Sequence, residues 1–167
     1  MKSLAPKLFA LLLLTTILFS CAKEEDGVYF NDNSEVLNAK VVYSPIESEI
    51  ISLVNAHRTS LGLNVLNTLN IVSGVADGHT NYMIEIGQVN HDNFAQRAQI
   101  LMNEASAKTV GENVAYGYST AEGVVKGWLN SDGHRKIIEN PDYTHFGISM
   151  EPNADNRNYF TNIFIRK

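Results

Sequence analysis

Past the first forty residues, the apolar positions of this chain fall into two rhythms. Between residues 44 and 102 they recur every three or four places, and beyond residue 110 they alternate or run together. Ile46, Ile50, Leu53 and Val54 form one stripe at helical spacing, which predicts a helix opened by Ser44-Pro45 and stopped at Gly62. A serine can accept from the free amides of a helix start, and proline lacks only an N–H that has no partner there. His57 and Arg58 are expected at an exposed or half-buried end of this helix. Val72, Val75, Ala76, His79, Met83 and Ile86 predict a second helix over about 71–86, ended by Gly87. His79 lies on or beside that stripe and reads as a hydrogen-bonded packing residue. A polar turn, Asn90-His91-Asp92-Asn93, leads into a third helix over 94–102 that contains Arg97.

The rhythm then changes. Val114, Tyr116 and Tyr118 alternate with Ala115 and Gly117, which predicts a short strand or extended segment over 110–118. Ser119 stands three residues before Glu122, the spacing of a capping box, so a helix with Val124, Val125 and Trp128 on its inner side should follow. Ser131-Asp132-Gly133 breaks it, and residues 134–138 add one more helical turn. Residues 145–151 and 158–166 are β-rich and flank Pro152-Asn153-Ala154-Asp155-Asn156, a turn composition, so they predict a hairpin. Val41-Val42-Tyr43 is compatible with an edge strand or with chain lying on the domain. Helices first, then a strand and a hairpin, indicate an α+β domain with helices packed on a small antiparallel sheet.

The amino terminus follows neither rhythm. Lys2 and Lys7 precede an apolar run of 12 residues, 8–19, the pattern of a signal peptide and too short to span a bilayer. Leu18-Phe19-Ser20-Cys21 resembles a bacterial lipobox, in which the cysteine is lipidated and becomes the first mature residue. Cys21 is the single cysteine of the chain, and lipidation accounts for an odd cysteine in an exported protein. Lys23-Glu24-Glu25-Asp26 resembles the surface-export signal of Bacteroidetes lipoproteins. The expected organisation is a signal peptide over 1–20, a lipidated cysteine and tether over 21–43, and one domain over 44–167. The expected address is the outer membrane, through the anchor, with the domain facing outward as a monomer.

Charge narrows the partners. Losing residues 1–20 removes two lysines and no acid, leaving 11 basic and 18 acidic residues and a formal charge of −7. That balance disfavours nucleic acid or an anionic membrane face as a general electrostatic partner. A mature length of 147 residues suits a single cored domain without disulfides.

Candidate chemistry gathers in residues 111–135. Glu112, Asn113, Ser131, His134 and Arg135 stand there among Gly111, Gly117, Gly127 and Gly133, and His91 lies upstream. So many glycines among polar groups suggest a shaped polar cleft more than a plain helix. No nucleophile-elbow spacing and no H-E-x-x-H helix occurs. Ser131 reads as a helix-end residue, and Arg135 as the partner of an acid or a carbonyl.

Seven blocks in order carry a family resemblance. They are Leu53-Val54-Asn55-Ala56-His57-Arg58, Gly62-Leu63-Asn64-Val65-Leu66, His79-Thr80-Asn81-Tyr82-Met83, His91 with Arg97, Gly111-Glu112-Asn113-Val114-Ala115, residues 128–135, and Tyr159-Phe160-Thr161-Asn162. The chain resembles bacterial members of the CAP superfamily (cysteine-rich secretory proteins, antigen 5, pathogenesis-related 1) over about 45–165. The resemblance implies a three-layer α-β-α sandwich around a central antiparallel sheet, with a cleft of histidines and acids. On this chain it points to His91, Glu112 and His134 as cleft residues, lined by Asn113, Ser131 and Tyr159. Ser131 and Tyr159 mark departures from the eukaryotic pattern. His91 and His134 with a carboxylate would suit zinc, leaving a position for water. The expected function is a cell-envelope lipoprotein whose cleft binds a lipid, glycan or peptide. The alternative is a metal-assisted hydrolase of peptides or cell-wall material.

Overall fold

The computed structural model describes residues 40–167; the signal segment, Cys21 and the tether through residue 39 lie outside the described residues. Helix α1 (Pro45–Ser60) starts as the residues predict. Ser44 and Glu47 form a reciprocal capping box, and Gly62 beyond the helix has φ +73°. Tyr43 makes no strand; it lies on the domain with its hydroxyl 2.8 Å from that of Ser73. Strand β1 (Asn67–Thr68) is very short, and helix α2 (Asn70–Ile86) ends at Gly87 in the left-handed region. Helix α3 (Phe94–Glu104), strand β2 (Thr109–Tyr116), helix α4 (Ala121–Asn130) and helix α5 (Asp132–Ile138) follow. Strands β3 (His145–Pro152) and β4 (Asn158–Arg166) form the hairpin. At α4 the capping expectation needs correction. Thr120, not Ser119, caps the helix by accepting from the Gly123 amide.

The sheet runs β1-β3-β4-β2, antiparallel except for the parallel β1–β3 pair. Both faces are covered, so β4 reads as an unbroken buried run from Tyr159 to Ile165. Its alternate residues serve opposite layers. Phe160 and Phe164 pack with Ile50 and Val54 of α1, Val124 and Trp128 of α4 and Ile138 of α5. Ile163 and Ile165 pack with Ile71, Val72, Val75 and Ala76 of α2 and Leu101 of α3. This is a three-layer α+β sandwich. Helix α2 lies so close to β3 that a Cβ at Gly147 would overlap the backbone at Val72 and Ser73. No helix among the described residues is long and apolar enough to cross a membrane.

Arg58 departs from its expected place at an exposed or half-buried helix end. It is fully buried, and donates to the carbonyls of Asn64, Ile138 and Asn140 at 2.6–2.9 Å. The last two lie at the end of α5, where helix carbonyls lack partners, so the cation is solvated by protein oxygens. His57 is half-buried, as expected, and bonds Glu139 at 2.9 Å.

Candidate functional site

Strand β2 is an edge strand whose side chains point alternately to the two outer layers. Val110 and Val114 pack on the α2 and α3 side, and Ala115 on the α4 and α5 side. Glu112 therefore faces α3, and Asn113 faces α5.

On the α3 side Glu112 is the hub of a buried network. Arg97, with no exposed surface, donates from Nε to Glu112 Oε2 at 2.8 Å and from Nη2 to Oε1 at 2.7 Å. His91 Nδ1 lies 2.8 Å from Oε1. A carboxylate only accepts, so the neutral His91 imidazole carries its proton on Nδ1 and keeps a lone pair on Nε2. Arg97 Nη1 also donates to the Asp92 carbonyl at 2.6 Å, and His79 Nε2 donates to the Asn90 carbonyl at 2.9 Å. Two buried side chains thus clamp the turn that presents His91. Asn93 closes that turn with φ +59°, a conformation asparagine tolerates.

The ionisation states follow from these contacts. Burial alone would raise the Glu112 pKa, but the hydrogen bonds from His91 and Arg97 and the charge of Arg97 outweigh it. The carboxyl is held below its ordinary 4.5. Burial pushes His79 below its ordinary 6.5, with the Arg97 cation lowering it further against the pull of Glu112. His79 Nδ1 has no hydrogen-bond partner among the described residues, which fits a neutral ring.

The α5 side is looser. Asn113 Nδ2 donates to the His134 carbonyl at 3.1 Å, while its Oδ1 is buried without a partner among the described residues. His134 is half-buried, and its pKa is lowered by burial and by the charge of His91. The two histidines therefore feel one another around the edge of β2. Between the two sides lies a hollow of about 350 Å³, lined by His91, Phe94, Val110, Gly111, Glu112, Ile137 and Tyr143. A Cβ at Gly111 would overlap the Tyr143 hydroxyl, so glycine is what lets that ring close over the strand.

A model of the cysteine-rich secretory protein family matches residues 51–164. The chain belongs to the CAP family. It is 33% identical over 131 residues to the membrane protein YlbC of Bacillus subtilis, an alignment covering 77% of this chain and 36% of that protein. An outer surface protein from Borrelia burgdorferi superposes with a TM-score of 0.68 at 25% identity, covering 78% of this chain and 98% of that one. An extracellular SCP-domain protein of Bacillus anthracis superposes with a TM-score of 0.63 at 27% identity, covering 77% and 45%. The chain thus spans little more than a third of YlbC. These bacterial relatives of the CAP domain include outer-surface and extracellular proteins.

The CAP cleft gathers the expected residues unequally. His91 and Glu112 are in contact and line the hollow. Asn113 and His134 are joined to each other on the far side of the strand. Ser131 is the junction of α4 and α5, where its carbonyl accepts from the Arg135 amide, and it does not line the hollow. Tyr159 is displaced from its expected cleft place. It pairs with Tyr116 at the other end of β2, its ring 4.6 Å from that of Tyr116, and packs with Met83 and Val114. Arg135 bonds Asp132 and the Leu129 carbonyl, as its reading required.

Among the described residues no group of three His, Cys, Asp or Glu side chains is placed to hold a metal ion. Both Glu112 oxygens are bound to Arg97, and one also to His91, so the donors do not fit a zinc centre with three protein ligands.

Arg97 stands in one of the family blocks but is not among the expected cleft residues. The signal was present. Arg97 shares the inward stripe of α3 with Ala98 and Leu101, and a cation there requires a buried acid. His79 proves to be both a packing residue and a site residue, its Nε2 3.8 Å from Glu112.

Proposed function

We propose that this CAP domain is the ligand-binding part of a cell-envelope lipoprotein anchored through Cys21. The hollow at the edge of β2 takes a small lipid, glycan or peptide. The observation that carries this reading is a hollow of about 350 Å³ with mostly apolar walls and one aimed imidazole, His91, at its rim. That volume lies within the range of small-ligand sites. A binding role is favoured over hydrolysis because Glu112, the one carboxylate in the hollow, is saturated by Arg97 and weakened as a base.

The test is a titration with short-chain phospholipids, muropeptides and capped peptides, followed at the ring resonances of His91 and His134. A saturable shift at His91 is the expected result, with binding measured by calorimetry weakened in His91→Ala and unchanged in His57→Ala. No shift with any of the three classes would overturn the reading. For the anchor, incorporation of a palmitate analogue should be lost in Cys21→Ala, and labelling that persists in that variant would contradict it.

A further inference from the structure

The free edge of β2 carries more information than its side chains. Three hydrogen bonds fix which main-chain groups of the sheet point where. The Gly117 amide donates to the Asn158 carbonyl at 2.8 Å, and these residues are direct partners in the continued β2–β4 register. The Arg166 carbonyl accepts from Lys108 on the β2 side, while the Ile165 carbonyl accepts from Thr144 on the β3 side. Even-numbered residues of β4 therefore address β2, and their partners on β2 are Thr109, Gly111, Asn113 and Ala115. Val110, Glu112 and Val114 must turn their N–H and C=O groups the other way, to the outer edge. The Val114 carbonyl confirms it, since it accepts from Trp128 Nε1 at 3.1 Å.

That indole takes the Val114 carbonyl. At Val110 and Glu112 the main-chain groups have no hydrogen-bond partner among the described residues. Both residues line the hollow, and Glu112 is only 4% exposed. Unpaired backbone polar groups at such a place require a partner other than this sheet. The opposite margin of the sheet is treated differently. There the Thr144 and Phe146 carbonyls accept from the amides of Asn67 in β1 and of Leu69 just beyond it, and Glu47 Oε1 takes the Met150 amide at 2.9 Å.

We propose that the occupant of the hollow is an extended peptide segment that adds to the edge of β2, pairing with the N–H and C=O of Val110 and Glu112. This rests on the ligand-binding reading above and narrows its ligand to polypeptide. An extended segment presents donors and acceptors at the same repeat as the strand, which a lipid chain cannot do. Its alternate side chains then point to the two flanks, one toward His91 and Phe94, the other toward Ile137 and Tyr143. Affinity comes from the main chain and selectivity from the apolar walls. The stretch of edge that lies in the hollow runs from Val110 to Glu112, and the Trp128 indole stands at the Val114 carbonyl beyond it, so the footprint is three to four peptide residues.

The probe is a set of four capped tetrapeptides, acetyl-Thr-X-Thr-Thr-amide with X as Ala, Leu, Phe or Tyr, added at millimolar concentration to the full folded chain under amide hydrogen exchange. Alone, the Val110 and Glu112 amides exchange freely while those of Gly111 and Asn113 are protected. With at least one peptide, the first two become protected at least tenfold. N-methylation of the peptide's alternate amides abolishes the effect in one register and not in the other. Val110→Pro deletes one proposed donor on the side away from β4 and leaves the β2–β4 ladder intact, so binding should weaken about fivefold without loss of the fold. Failure of all four peptides to protect either amide overturns the proposal. If they shift His91 while the two amides still exchange freely, the hollow binds ligands without strand addition. If His91 is also unmoved, strand addition is overturned, and the ligand-binding reading is then decided separately by the phospholipid and muropeptide titrations. Protection that appears without peptide and grows with protein concentration assigns the edge to a second copy and likewise overturns it.

Discussion

Glu112 and Asn113 are neighbours on one strand, yet they face opposite conditions. On the Glu112 side a carboxylate, a guanidinium and an imidazole close on one another, and two more contacts from Arg97 and His79 hold the turn that carries His91. On the Asn113 side a single amide hydrogen bond holds the start of α5, an amide oxygen is left over, and the His134 ring makes no hydrogen bond among the described residues. The difference separates a scaffold from a surface with unused capacity. The residue that looks most catalytic, Glu112, is consumed by structure, and what it delivers is the aim of His91.

The sharpest way to break that contrast is to remove one member of the closed side. Arg97→Met leaves a buried carboxylate without its cation, and urea unfolding should lose about 3–5 kcal/mol. Adding Glu112→Leu should recover much of this loss, because an apolar pair carries no desolvation penalty. A single variant as stable as the parent would show that the network holds nothing.

Acidification probes both sides, His79 and Glu112 on the closed one and His134 on the open one. Folded His79 and His134 resist protonation, while the unfolded chain takes up protons as the pH falls through about 6.5. Their contribution to stability is therefore complete above that pH and lost below it. Glu112 acts in the same direction lower down, its contribution present above 4.5 and lost as pH falls through its folded value. Urea midpoints should drop between pH about 7.5 and about 5.5, and drop less in His79→Leu. An equal drop in that variant would remove His79 from the account.

The open side should be forgiving. Asn113→Ala removes one hydrogen bond and should cost about 1 kcal/mol in urea unfolding. His134→Ala should stay within about 0.5 kcal/mol of the parent while altering ligand-induced shifts at His91. A loss from His134→Ala as large as that from Arg97→Met would erase the distinction between the sides.

How much of this was legible beforehand follows from which interactions are local. Ser44, Pro45, Gly62 and Gly87 act on their own helices, and the periodicity around them located α1 and α2 to within a residue or two. The alternation in residues 110–118 located β2, and with it the opposite facing of Glu112 and Asn113. Contacts across the sequence were harder. Arg58 reaches carbonyls 80 and 82 residues away, and nothing in its own helix announces them. Tyr159 was placed by family pattern, yet the register sets it opposite Tyr116, four residues along the strand from the partner of Glu112. At about 3.4 Å per residue that is roughly 14 Å. Arg97 was readable in principle, since a cation on an apolar stripe and a glutamate in a buried strand require one another.

The most direct test of the account is the tautomer of His91, read from its imidazole nitrogen shifts with the ring neutral. If Glu112 serves to aim that ring, the proton resides on Nδ1 and the Nε2 lone pair is presented to the hollow. A neutral ring carrying its proton on Nε2 would mean that the carboxylate does not hold it, and the division between a fixed side and an available one would fail.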